Sequence, residues 1–304
     1  MTARSLLDRY EGTLLALACG DAVGTAVEFS PRGSFAPVRG MQGGGPFDLA
    51  PGQWTDDTSM ALCLAESLLE QGGFDVRDQM QRYLRWWRHG HLSATGKCFD
   101  IGMTTRQALA RFEATGEPYA GSTDPRSAGN GSLMRLAPVV LRYHPQRPQV
   151  LAHAAASSRS THAAAEAVDA CRLLAAVLCN ALDGLPKERL LDGTAEVVTE
   201  PALRAIAAGG FLGKPASAVR GSGYAVHSLE AALWCVATTH TLEAAILQAA
   251  NLGDDADTTA AIAGQVAGAL YGAGSIPPAW LGQLHLEREI RVMAGRLLQA
   301  ATAA

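Results

Sequence analysis

The chain has 304 residues, 48% of them hydrophobic and 18% charged, which is enough apolar material for a sizeable core and too much for a disordered chain. A net charge of −4 and a pI near 6.1 give no basic footprint for nucleic acid, so no nucleic-acid partner is expected. Aromatics are scarce at 6% and alanine is abundant, which favours closely packed helices over a β-sandwich.

The first expected helix spans residues 4–19, with Leu6, Leu7, Tyr10, Leu14 and Leu17 at helical spacing. Its apolar run is too short, and too closely flanked by Asp8, Glu11 and Asp21, for a secretory signal. A further helical turn follows at Asp21–Gly24, then Glu28. Residues 30–53 are rich in glycine and proline and read as a long loop, a candidate lid beside Glu28. Helices are expected over 58–71 and 75–89, divided at Gly72-Gly73, and over 100–115. A second loop, 116–132, ends in Ser127-Ala128-Gly129-Asn130-Gly131-Ser132. A helix then runs from about Leu133 to before Pro145, followed by helices over 148–158, 162–182, 187–198 and 201–208. Residues 209–224 form a third glycine-rich loop, and helices resume over 228–238, 241–250, 256–272 and 284–302. No segment alternates long enough to be read as a strand, and no linker interrupts the chain. The expectation is one all-α domain over 1–304. No stretch approaches the roughly 18 apolar residues of a membrane helix. Six scattered cysteines, none in a C-x-x-C pair, suit buried thiols in a reducing cytoplasm.

Two segments near opposite ends stand out. Gln53-Trp54-Thr55-Asp56-Asp57-Thr58 and Gly253-Asp254-Asp255-Ala256-Asp257-Thr258-Thr259 each lead into an apolar, alanine-rich helix. One Asp or Thr before a helix is ordinarily a cap. Two carboxylates in each segment exceed that need. If the fold joins the two helix mouths, Asp56, Asp57, Asp255 and Asp257 sum to four negative charges, which two hard divalent cations would cancel. That suggests metal-assisted hydrolysis. Elsewhere the Gly129-Asn130-Gly131 turn could form a backbone nest for a phosphate, though no Gly-Lys-Ser/Thr follows. Alone, Glu28 reads as a solvated carboxylate, His162 as a structural histidine and Tyr224 as a loop or core aromatic. Trp86-Trp87-Arg88-His89 reads as a helix face half in the core.

Taken together, the segments resemble the ADP-ribosyl-glycohydrolase family, within it the bacterial dinitrogenase reductase-activating glycohydrolase branch. The matching pieces run in family order: Gly20-Asp21-Ala22-Val23-Gly24 with Glu28, Trp54–Thr58, Phe99-Asp100-Ile101-Gly102, Gly129–Arg135, Thr161-His162 and Gly253–Thr258. The resemblance implies a compact all-α fold with a dinuclear Mg²⁺ or Mn²⁺ cleft that releases ADP-ribose from a modified protein side chain, arginine foremost. It places metal ligands at Thr55, Asp56, Asp57, Asp255, Asp257 and Thr258. It places the diphosphate near Ser127, Gly129, Asn130 and Gly131, the distal ribose near Asp100, and His162 and Tyr224 toward the phosphates or adenosine. Family members differ in whether the loop glutamate, here Glu28, or the metal-bound aspartates activate water. The same pocket would also suit a small ADP-ribose conjugate, or a non-catalytic ADP-ribose binder. The latter should have lost an acidic ligand, and none is missing here.

Overall fold

The computed structural model describes residues 5–303. Every regular element among them is helical, and β-structure is limited to three isolated bridges. In chain order the α-helices are α1 (Leu6–Gly24), α2 (Asp56–Glu70), α3 (Val76–His89), α4 (Met103–Thr115), α5 (Ala137–Tyr143), α6 (Arg147–Thr161) and α7 (Ala165–Leu182). They continue with α8 (Pro201–Ala207), α9 (Ala225–Thr238), α10 (Leu242–Ala250), α11 (Ala256–Tyr271), α12 (Pro278–Gln283) and α13 (Glu287–Thr302). The buried apolar residues form one cluster drawn from all of them.

The centre is an antiparallel pair, α1 against α11, with α9, α10 and α13 packed alongside. Small residues four apart let the two backbones touch. A Cβ on Gly12 would lie 2.6 Å from the Gly268 carbonyl oxygen, and one on Gly264 would lie 2.1 Å from that of Ala16. A Cβ on Gly20 would lie 2.2 Å from the Ala260 oxygen, and one on Gly24 would lie 2.4 Å from Asp257 Cα. This seam explains why α1 continues through Gly20 to Gly24, where a break after residue 19 was expected. Each glycine weakens a helix by roughly 0.5–1 kcal/mol relative to alanine, and the close packing that its missing side chain allows offsets that loss. The seam also delivers the end of α1 to the start of α11, and so Glu28 to Asp257.

Several boundaries differ from the sequence expectations. The helix expected over 187–198 is two short 3₁₀ turns, Lys187–Arg189 and Ala195–Val197. There Asn180 Nδ2 donates to the Leu190 and Asp192 carbonyls, which fixes a looped path. α4 begins at Met103, leaving Asp100 in the preceding loop with a left-handed φ of 57°. α7 begins at Ala165, leaving His162 outside it at the end of α6. The 30–53 loop is pinned to the body and is not a free lid. Asn251 brackets Val38 through both its N–H (2.8 Å) and carbonyl (2.9 Å), and a Cβ on Gly45 or Gly52 would run into the carbonyls of Thr25 or Gln283. Trp86 is buried and Arg88 stacks over Trp87, 3.9 Å from its ring centroid, so this patch is a half-core face.

Candidate metal centre and cleft

The two acidic segments meet. Thr55 Oγ1, just before α2, lies 3.1 Å from Asp257 Oδ2 in the first turn of α11 and 3.4 Å from Asp57 Oδ2. Thr258 Oγ1 lies 3.3 Å from the same Asp57 oxygen. Neither N-cap residue, Thr55 of α2 or Asp255 of α11, caps its own helix through its side chain. The capping need of α2 is met from α1. Asp21 Oδ1 accepts from the Thr55 N–H (2.9 Å) and hydroxyl (3.0 Å), and Oδ2 accepts from the Thr58 N–H (2.9 Å) and hydroxyl (2.6 Å). Asp21 received no role from the sequence. Its signal was a lone carboxylate in an apolar helical run. With α2 capped from elsewhere, Asp56 and Asp57 are free for another task.

That task is visible in what their oxygens lack. Asp57 Oδ1, Asp257 Oδ1 and Glu28 Oε2 are buried and have no hydrogen-bond partner. Buried polar atoms are rarely left this way, least of all on groups that carry charge. Carboxylate oxygens of Glu28, Asp100 and Asp257 also lie within 4.8 Å of one another. Burial first, then mutual repulsion, holds Asp56, Asp57 and Asp257 well above the usual carboxylate range. The same two causes push Asp100 up to about 7 and Glu28 up to about 10. Asp21 is pushed up to about 6 by burial, held back by its four donors. A group of buried acids with unpartnered oxygens and two threonine hydroxyls is an all-oxygen donor set that lacks positive charge, the complement of hard divalent cations.

Above these acids opens a cleft of about 360 Å³. Glu28, Asp56, Asp100, Asp255, Asp257 and Thr258 line it together with Gly129, Asn130, Gly131 and His162. Phe29 and Met103, both exposed, flank its mouth. Glu28 is buried, not solvated as its sequence setting suggested, because Phe29 N–H donates to the Asp254 carbonyl (2.7 Å) and Asp254 N–H to that of Ser30 (2.9 Å). This exchange ties the Glu28 segment to the second acidic motif. Asn130 ties in the glycine loop, its Nδ2 donating to Asp255 Oδ2 and Ser228 Oγ at 2.8 Å each. Asp57 and Thr55 are fully buried and are not part of the lining. Ser127 stands apart from it, its hydroxyl donating to the Asp124 carbonyl (2.6 Å). Tyr224 is also set back; its backbone pairs with Gly129 and its hydroxyl donates to Glu166 Oε2 at 2.5 Å.

Similarity to known proteins agrees with this geometry. A family model described as ADP-ribosylglycohydrolase matches residues 2–304. The chain is 46% identical over 301 residues to ADP-ribosylarginine hydrolase Tri1 of Pseudomonas putida (strain GB-1), spanning 99% of this chain and 81% of that one. It is 35% identical over 311 residues to ADP-ribosyl-(dinitrogen reductase) glycohydrolase of Rhodospirillum rubrum, spanning 99% of each. A solved structure, described as an ADP-ribosylglycohydrolase-related protein complex, aligns with a TM-score of 0.87 at 49% identity, over 97% of this chain and 99% of that one.

Proposed function

This chain belongs to the ADP-ribosylglycohydrolase family, and from that premise we propose that it hydrolyses the bond between ADP-ribose and an arginine side chain of a modified protein. The observation that carries the reading is the junction of the two acidic motifs at a cleft that Gly129 and Gly131 also line. The arginine linkage is supported by the likeness to proteins named ADP-ribosylarginine hydrolase, at 46% and 43% identity. No helix among the described residues is long and apolar enough to cross a membrane. We place the protein in the cytoplasm, in keeping with six unpaired cysteines.

In this reading Thr55, Asp56, Asp57, Asp255, Asp257 and Thr258 hold two divalent cations, Mg²⁺ or Mn²⁺. When bound, such cations supply Lewis-acid orientation of sugar hydroxyls and compensate the buried negative charge. The chain's own residues do the rest. Gly129 and Gly131 leave the backbone open for close approach of the diphosphate, and Asn130 fixes that loop against Asp255. Asp100, in its left-handed loop, faces the ribose end of the cleft. Rupture of the bond at the anomeric carbon develops oxocarbenium-like charge, which the surrounding carboxylates stabilise. Bound cations would offset the burial and repulsion that keep Glu28 protonated, and the ionised Oε2, which has no protein partner, would then take a proton from the attacking water. The guanidine leaves toward the mouth between Phe29 and Met103.

The test is release of free ADP-ribose from arginine-linked, serine-linked and small-molecule conjugates, each with Mg²⁺, Mn²⁺ or a chelator. Cation-dependent release from the arginine-linked protein is expected. Release from small conjugates alone would favour that alternative substrate, and binding of ADP-ribose without release from any conjugate would favour a non-catalytic binder.

A further inference from the structure

Arg135 has none of its surface exposed, and its hydrogen-bond partners are neutral. It donates to the Gly131 carbonyl (2.8 Å), Thr161 Oγ1 (2.7 Å) and Ser160 Oγ (3.4 Å), and lies 4.8 Å over the Tyr83 ring. A buried guanidinium without a paired carboxylate is expensive, so its placement calls for a reason. The reason lies one bond further on. Thr161 Oγ1 is 2.8 Å from His162 Nδ1. A threonine hydroxyl has one hydrogen to give and two lone pairs to receive with, whereas arginine only donates. Arg135 therefore takes one lone pair of Thr161.

Two arrangements remain. If Nδ1 carried the imidazole proton and donated to Thr161, the buried threonine hydrogen would have no acceptor, and Nδ1–H would point toward the positive guanidinium. If Thr161 donates to Nδ1, the threonine hydrogen and Nδ1 are both satisfied, only Arg135 Nε and the cleft-facing ring nitrogen are left without a protein partner, and the imidazole proton must sit on Nε2. That nitrogen has no protein hydrogen-bond partner among the described residues, and the ring lines the cleft. It stands 3.2 Å from where a Cβ of Gly129 or Gly131 would be, and a Cβ on Gly131 would also lie 2.8 Å from Cε1. Both glycines thus leave the Nε2 edge open. Burial, then the Arg135 charge, lowers the His162 pKa to about 3, so the ring is neutral at pH 7.

We propose that Arg135 and Thr161 are positioning residues that lock His162 as its Nε2–H tautomer, presenting a fixed, neutral donor to a diphosphate oxygen of the substrate. This rests on the reading of the cleft as an ADP-ribose site. It adds two residues that touch no substrate but decide which way a contacting residue donates.

The test uses the full chain labelled with ¹⁵N-histidine. Long-range ¹H–¹⁵N correlation at pH 7 reports which ring nitrogen is protonated, and the His162 signals are identified by their loss in His162→Gln. In the wild type Nδ1 is expected bare and Nε2 protonated. Thr161→Val keeps the shape and removes the hydroxyl. The Nδ1–H form should then become populated, and ADP-ribose affinity by calorimetry should fall roughly tenfold or more, as for a lost hydrogen bond to a charged group. Thr161→Ser should restore both readouts. Arg135→Gln should act as Thr161→Val does, and should it fail to fold, the threonine pair still decides. A wild-type ring protonated at Nδ1 would overturn the proposal, as would unchanged nitrogen shifts and affinity in Thr161→Val. A purely structural role would lower affinity without moving the tautomer, and that result also counts against it. Absence of ADP-ribose binding by a wild type with the assigned tautomer would instead overturn the reading of the cleft, and the donor role with it.

Discussion

Removing divalent cations should make the stability of this protein fall as pH rises. Asp21, Asp100 and Glu28 have folded-state pKa values pushed up to about 6, about 7 and about 10, from 3.8, 3.8 and 4.5. A carboxyl whose folded pKa exceeds its unfolded pKa binds its proton more tightly in the folded chain. Its contribution is fully present in acid, below the unfolded value, and is lost as pH rises through the folded value. Each tenfold difference in proton affinity is about 1.4 kcal/mol. Between pH 5 and pH 8 the three groups together therefore withdraw several kcal/mol, on the order of 10 °C in Tm for a chain of this size. Bound cations favour the ionised carboxylates, so their stabilising effect should grow with pH. The assay is thermal unfolding at pH 5 and pH 8, with chelator and with Mn²⁺. The Tm in chelator should fall across that range, and the gap between the two curves should widen. A chelated Tm that is level or rising, or a cation effect of equal size at both pH values, would refute the reasoning.

Asp57→Ala and Asp257→Ala should each abolish ADP-ribose release and weaken Mn²⁺ binding by calorimetry, since each removes an oxygen that has no other partner in the protein. Glu28→Gln should lower turnover by about 10²–10⁴-fold while ADP-ribose affinity changes little; near-wild-type turnover would move water activation to Asp56 or Asp57. Gly129→Val places a Cβ 3.2 Å from His162 Nε2 and sets branched carbons beside the cleft; ADP-ribose affinity should drop with little change in Tm. Gly268→Val drives a Cβ to 2.1 Å from the Gly12 carbonyl oxygen across the central seam; it should cost about 3 kcal/mol or more by denaturant unfolding, at or beyond the upper end for overpacked cores.

What could be read from the sequence follows from how local the cause is. The paired acids at 56–57 and 255–257 were legible because two carboxylates exceed what one helix start can use, and the structure does join them. The all-helical class followed from alanine content and the absence of alternating runs. The burial of Glu28 was not legible, because it depends on the exchange of hydrogen bonds with a segment some 220 residues later. The 30–53 loop looked like a lid because glycines signal freedom in sequence; here Gly45 and Gly52 mark where backbone presses on backbone. Residues 187–198 carry helix-forming side chains, yet Asn180 fixes their carbonyls in turns. Asp21 and Arg135 were visible only as members of motifs. Their work, capping α2 and bonding Thr161, exists only once distant segments meet.

The most direct measurement of the central claim is a crystal of the protein grown with Mn²⁺ and ADP-ribose, with data collected at the manganese edge. Two anomalous peaks are expected among the oxygens of Thr55, Asp56, Asp57, Asp255, Asp257 and Thr258, with the distal ribose over them and the diphosphate against Gly129–Gly131. A crystal of active enzyme with no manganese between the two acidic motifs, or with ADP-ribose outside this cleft, would contradict it.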